Sequence, residues 1–213
     1  MGVPQNTPLR VTLVRHGETE WSLSGRHTGV TDVALTARGE DGARALEPLL
    51  RRTAFGRVLT SPRARARRTC ALAGLGSAAE VEPDLAEWSY GDYEGLRSDE
   101  ILRDRPGWSI FRDGCPNGES PDQVAGRADR LLARLRAGGG AAALFTHGHF
   151  GRVLATRWIG APVIMGGHFA LDVASIGLLG AEPSHPETPA IVLWNYSPTR
   201  QALGEMRCGP IPT

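Results

Sequence analysis

The stretch "VTLVRHGETEW", residues 11–21, decides how this chain is read. Val11 to Val14 form a short apolar, β-branched run, the pattern of a buried strand. The run stops abruptly in Arg15, His16, Gly17 and Glu18. A strand ending this way delivers a cation, an imidazole and a carboxylate to one point.

Further strand-like runs alternate with segments of helical period. "LRVTLV" (9–14) is the first strand, and the segment 35–52 follows as a helix with Thr36 at its N-cap. "RVLT" (57–60) and "AEVE" (79–82) read as the next strands, separated by a helix over 61–74 that Ser61 caps. Ser120-Pro121-Asp122-Gln123 is a capping box with proline at the first helical position. Val124, Ala128, Leu131, Leu132 and Leu135 then fall on one face of the helix it opens. "AAALFT" (141–146), "FALDVASIGLLG" (169–180) and "AIVLWNYS" (190–197) complete the strands. The alternation predicts a three-layer α/β sandwich around a mainly parallel sheet. The stretch 86–119, rich in Trp, Tyr, Gly, Asp and Pro, fits the alternation poorly. It is expected as an insertion over the C-terminal ends of the strands, inside one domain spanning 1–213.

At 213 residues the chain is long enough for one good-sized core. A net charge of +1 points to neither a nucleic-acid nor a membrane partner. All 24 basic residues are arginines, so each positive site carries a planar fork suited to phosphate or carboxylate. Cys70, Cys115 and Cys208 lie far apart and suggest no disulfide framework. The first ten residues lack the basic and apolar regions of a signal peptide, and Asn6 does not fit a myristoylation start. A cytoplasmic setting is the expectation.

In parallel sheets ligands gather at the carboxyl ends of strands. Three ends stand out: Arg15-His16-Gly17, the arginine-rich run after Thr60, and His147-Gly148-His149. With Ser61 as cap, Arg63 and Arg65 fall in or beside a first helical turn, where cations oppose the helix dipole. A bound anion reverses that sign. Arg63, Arg67 and Arg68 read as a solvated face and Arg65 as an anion ligand, whose removal leaves thermal stability nearly untouched.

The ordered set "LVRHGETEW", "SPRARARRT", "LAEWSYGDYEGL", "GES" and "THGH" resembles the histidine phosphatase superfamily in its phosphoglycerate-mutase-like branch. "EWSLSGRHTGVTDVALT", "EWSYGDYEGL" and "FRDGCPNGES" look most similar to sedoheptulose-bisphosphatase-like enzymes and related acid phosphatases. The resemblance runs from about residue 9 to about 160. It implies His16 as a nucleophile that becomes phosphohistidine, with Arg15, Arg65 and His147 holding the phosphoryl group and Glu87 as general acid and base. Thr28, Gly29, Tyr90 and the backbone at Gly148 match positions lining the substrate site. Ser22 stands where the family often has Asn, and its hydroxyl is expected to donate to phosphate.

The chemistry accounts for these residue types. A phosphate monoester needs charge-assisted donors, whereas the nucleophile must be a neutral imidazole, which nearby cations favour. Its other nitrogen needs an acceptor, most simply a backbone carbonyl. Gly17 would let the backbone pass close to the anion. The function expected is hydrolysis of a small phosphorylated metabolite without metal or other cofactor. A phosphoglycerate-type mutase is the first alternative. A metallohydrolase using His147 and His149 needs carboxylate partners in H-x-x-E or D-x-H patterns, which are not found nearby. A non-catalytic phosphate-binding module is the third. His27, His149, Tyr93 and Arg112 stay open, His168 and His185 read as solvated, and Trp88 and Trp108 read as packing. A homodimer is left open.

Overall fold

The computed structural model describes residues 8–199. The chain runs β1 (Arg10–Arg15), α1 (Glu20–Ser24), α2 (Ala37–Arg44), α3 (Glu47–Leu50), β2 (Arg57–Thr60), α4 (Ala64–Leu72) and β3 (Ala79–Val81). It continues through α5 (Ser98–Asp104), α6 (Ile110–Asp113), α7 (Pro121–Gly138), β4 (Ala141–Thr146), α8 (Gly148–Trp158), β5 (Ile176–Glu182) and β6 (His185–Tyr196). The six strands lie in the order β3-β2-β4-β1-β5-β6. The first four are mutually parallel; β5 runs antiparallel to β1, and β6 antiparallel to β5.

Strand periodicity sorts the core into two halves. Val11, Leu13 and Leu144 face α7 and α8, packing with Val124, Leu131, Leu135, Phe150 and Leu154. Val14, Ala143 and Phe145 face the opposite side, with Leu46, Leu50 and Cys70 from α3, α4 and the turn before α3. Helices therefore cover both faces, as the alternation predicts. All five apolar residues expected on one face of α7 are buried, and Ser120 and Gln123 form the expected capping box. Among the described residues no helix is long and apolar enough to cross a membrane. Cys70 and Cys115 are free and buried, while Cys208 and the first seven residues lie outside the described residues.

Several boundaries differ from the sequence reading. The helix expected over 35–52 keeps its Thr36 cap but breaks into α2 and α3. Pro48 has no N–H to give and its ring clashes with the carbonyl four residues back. The helix after β2 starts at Ala64 with Arg63 as N-cap, so Ser61 does not cap it. Residues 169–175 are not strand. They wrap the end of β1 instead, where Arg15 N–H donates to Ser175 and Ala174 N–H to His16. His168 and His185 are exposed as expected.

Candidate active site

The register of the parallel strands assembles the site. Arg15 of β1 lies opposite Thr146 of β4, and Thr60 of β2 opposite Phe145. The next residues in each strand, His16, His147 and Ser61, thereby become neighbours. The ladder extends into them, with His16 N–H donating to Thr146 and Ser61 N–H to Phe145. His16 and His147 meet edge to face, ring centroids 5.2 Å apart. The insertion closes this end of the sheet through Glu87, Tyr90 and Ser98. A cleft of about 200 Å³ remains, lined by Arg15, His16, Ser22, Thr28, Glu87, Tyr90 and Gly148, together with Arg26, His27, Ser98, His149, Arg152 and Leu171. That volume is below the roughly 300–1,000 Å³ of pockets for drug-sized ligands and so admits only a small molecule.

His16 is buried, and its Nδ1–H donates to the Gly17 carbonyl at 2.7 Å. A carbonyl only accepts, so the proton is fixed on Nδ1 and Nε2 keeps its lone pair. Burial holds the imidazole well below the usual histidine range, and Arg65 and then Arg15 push the same way. The expected backbone acceptor is therefore present. Gly17 serves a different purpose from the one expected: a Cβ there would stand 2.4 Å from the Gly39 carbonyl, so the glycine permits backbone packing against α2. Glu18 also turns away, accepting the Thr36 hydroxyl at 2.8 Å beneath α2. The carboxylate that follows the R-H-G motif is thus structural.

Arg15 donates through Nη1 to the Leu171 carbonyl, while its Nε is buried without a partner among the described residues. Gly148, first residue of α8, lets this guanidinium lie close: a Cβ would sit 3.3 Å from its Cζ.

Arg65 and His147 stand behind the cleft rather than on its wall. Arg65 is 1% exposed and donates to the carbonyls of Thr31 (2.9 Å), Thr28 (2.7 Å) and Gly29 (3.1 Å) and to His147 Nδ1 (3.2 Å). With Nδ1 accepting, His147 Nε2–H donates to Ser61 Oγ at 2.7 Å. The two expected phosphate ligands thus have most of their donors engaged within the protein; the charge of Arg65 reaches the cleft from behind, while His147 is neutral. From sequence Arg65 reads as an anion ligand opposed to its helix dipole; the walls 28–31 and 147 enclose it and take its donors. Arg65→Ala leaves buried carbonyls without donors, at about 1–3 kcal/mol for each unsatisfied group. The expected result is a loss of roughly 3 kcal/mol or more in urea titration, opposite to the unchanged stability inferred from sequence. A midpoint within error of the native protein's would refute this. Arg67 and Arg68 are exposed as expected, whereas Arg63 is partly buried.

Glu87 is held by three backbone donors: Oε1 accepts from Trp88 (2.9 Å) and Phe150 (2.8 Å), and Oε2 accepts from His149 (3.0 Å). Two of these are first-turn groups of α8, where a carboxylate complements the dipole. A carboxylate oxygen has two lone pairs. Oε1 has both engaged, and Oε2 keeps one. Arg127 and Glu119 fix the loop that presents Glu87. Arg127 forks onto Glu119 at 2.7 and 2.9 Å and also donates to the carbonyls of Asp84, Ala86 and Glu87, while Glu119 accepts Ser89 N–H. Sequence reasoning placed Glu119 in a motif but gave neither residue this task.

The remaining predicted residues divide. Ser22 lines the cleft, yet its hydroxyl donates to the Thr19 carbonyl and accepts Thr19 N–H in the capping box of α1. Its one proton is already placed, contrary to the expected gift to phosphate. Gly29 is buried off the cleft and donates its N–H to Glu94. Tyr90 is buried with its hydroxyl 2.6 Å from His149 Nδ1, and burial raises its phenol well above the usual range. Tyr90 therefore donates, and His149 carries its proton on Nε2. His27 stacks on Tyr90, centroids 4.7 Å apart. Tyr93 and Arg112 sit outside the cleft wall, Tyr93 accepting from Arg105 and Arg112 paired with Asp113. Trp88 and Trp108 pack in the core as expected. Arg152 was missed, although four residues after Gly148 it shares that residue's helical face.

Four imidazoles are held low by burial: His16, His147 and His149 far down, His27 to about 4. Unfolded, each binds a proton near pH 6.5, so between 6.5 and the folded value the unfolded chain binds more protons. Stability is therefore present above 6.5 and falls as pH drops, by up to about 1.4 kcal/mol per unit for each group. For His27 the loss ends near pH 4. Urea midpoints should drop steeply from pH 7.5 to 5; a flat profile would contradict the neutral histidines.

Among the described residues no group of three or more His, Cys, Asp or Glu is placed to hold a metal ion. His147 and His149 do not converge: one bonds Arg65 and Ser61, the other Tyr90.

Residues 11–197 match the family described as histidine phosphatase superfamily (branch 1). An acid phosphatase of Mycobacterium tuberculosis is 45% identical over 177 residues, 81% of this chain and 87% of that protein. Sedoheptulose 1,7-bisphosphatase of Saccharomyces cerevisiae is 39% identical over 191 residues, 74% of this chain and 70% of that protein. The solved structure of a Mycobacterium tuberculosis open reading frame superposes with a TM-score of 0.82 at 39% identity, covering 89% of this chain and 98% of that one.

Proposed function

The chain belongs to the histidine phosphatase superfamily, and from that premise we propose that it is a phosphomonoesterase that hydrolyses a small phosphorylated metabolite through a phosphohistidine. The observation that carries the reading is His16: its Nδ1–H is committed to the Gly17 carbonyl, and burial with Arg65 and Arg15 keeps Nε2 unprotonated. Nε2 attacks phosphorus, a P–N bond forms, and the P–O bond to the leaving alcohol breaks. A proton on Glu87 Oε2 passes to that alcohol. Water then attacks phosphorus, gives its proton back to Glu87, and the P–N bond breaks to release inorganic phosphate and neutral His16. Arg15 and Gly148 at the start of α8, both on the cleft wall, stand by the charge that develops on the phosphoryl oxygens, with Arg65 adding its field from behind.

No step draws on a metal, and the groups named are sufficient for it. Phosphate release should therefore persist in EDTA and exceed interconversion of 3-phosphoglycerate. Full loss in EDTA with recovery on zinc would establish the metallohydrolase instead. A mutase rate well above the hydrolysis rate would establish a mutase.

A further inference from the structure

The acceptor that fixes the His16 proton is carried by a glycine, the residue with the widest backbone freedom. No side chain can stiffen Gly17, because the Gly39 carbonyl occupies the place of its Cβ. Thr69 holds it instead. Gly17 N–H donates to Thr69 Oγ1 at 2.9 Å, and both residues are buried. Thr69 lies on α4, one turn after Arg65, and its hydroxyl donates to the Arg65 carbonyl at 2.8 Å. A hydroxyl has one proton, so with that proton placed Thr69 meets Gly17 only as an acceptor. Such a bond back to the preceding turn slightly destabilises a helix; here it turns the hydroxyl's lone pairs toward the end of β1. Thr69 is fully buried and is not on the cleft wall, so it touches no substrate. One helix thus supplies both the Arg65 charge that helps keep the imidazole neutral and the hydroxyl that steadies its acceptor.

We propose that Thr69 is a positioning residue for the nucleophile: by anchoring Gly17 N–H it keeps the Gly17 carbonyl on His16 Nδ1–H, and so keeps the attacking lone pair on Nε2. The proposal rests on the phosphatase reading above. Without the anchor, Gly17 is free to turn its carbonyl away, and the ring loses the bond that selects its tautomer. His16 with its proton on Nε2 has no lone pair to offer phosphorus from that side. Thr69 therefore acts on the fraction of enzyme ready to attack, not on the affinity for substrate.

The test compares Thr69→Val, which exchanges the hydroxyl for a methyl group, with Thr69→Ser, which keeps it. On p-nitrophenyl phosphate, Thr69→Val should lower kcat by roughly 10–100-fold, the scale of a small misplacement of a reacting group, with KM nearly unchanged. Thr69→Ser should recover most of that loss. Long-range ¹H–¹⁵N spectra report which ring nitrogen carries the proton. Native enzyme and Thr69→Ser should show His16 protonated on Nδ1, and Thr69→Val should show the proton moving to Nε2. A native tautomer or a native kcat in folded Thr69→Val overturns the proposal, whatever happens to the urea midpoint. If Thr69→Val does not fold, hydrogen exchange in the native enzyme decides. A Gly17 amide protected like those of α4 supports the anchor, and one exchanging as fast as an exposed amide overturns it. Failure of the native enzyme to hydrolyse p-nitrophenyl phosphate or any phosphorylated metabolite would instead refute the phosphatase reading itself.

Discussion

His16→Ala should abolish turnover, with kcat falling roughly 10⁵–10⁶-fold, the scale seen when a covalent nucleophile is removed. The fold should survive, because the side chain's one bond is to the next residue's carbonyl. Arg15, Arg65 and Glu87 remain in place, so the variant should still bind inorganic phosphate or vanadate. Native enzyme mixed with substrate and quenched in alkali should yield an acid-labile phosphoryl group on His16, absent from His16→Ala. A labelled adduct on His147 or His149, or appreciable turnover by His16→Ala, would reassign the nucleophile. Geometry argues against both: His147 has each ring nitrogen engaged, and Tyr90 fills the Nδ1 side of His149.

The parts of this site legible in the sequence are those that strand ends dictate. A buried parallel strand must stop where its apolar run stops, so Arg15-His16 and His147-Gly148 could be placed at one edge before any coordinates. Helix α7 was legible because its capping box and apolar stripe are local. Side-chain direction was not legible. Arg65 reads as a first-turn cation whose donors all go to an anion, until residues 28–31 close over it and take them. Ser22 reads as a free hydroxyl until the α1 capping box claims its proton. Glu18 reads as part of the site, yet the approach of Gly17 to Gly39 turns it toward Thr36. Each of these depends on contacts far apart in sequence, which periodicity does not encode. Arg152 lay within reach, since its spacing from Gly148 puts both on one helical face.

Glu87→Gln should slow hydrolysis of an alkyl phosphate by roughly 10²–10⁴, the usual worth of a general acid. An alkoxide is a poor leaving group and needs its proton in the transition state. p-Nitrophenolate hardly needs one, so the phosphorylation step on the aryl substrate should suffer far less. The second step needs Glu87 as base for both substrates, so the aryl substrate should show a burst of p-nitrophenol followed by a slow steady state. The geometry specifies which oxygen acts. Oε1 accepts two N–H groups and is full, leaving the spare lone pair of Oε2 as the proton's site. In Glu87→Gln the amide oxygen can keep the Oε1 place, which sets the –NH₂ against His149 N–H where Oε2 had accepted. Some local displacement is therefore expected, and vanadate affinity measured alongside separates it from lost proton transfer. Equal losses for alkyl and aryl substrates in single-turnover measurements, with vanadate binding intact, would mean that Glu87 only positions the first turn of α8. The acid would then have to be sought outside these two histidines, His147 and His149, since burial keeps both neutral and a neutral imidazole N–H is too weak an acid for the task.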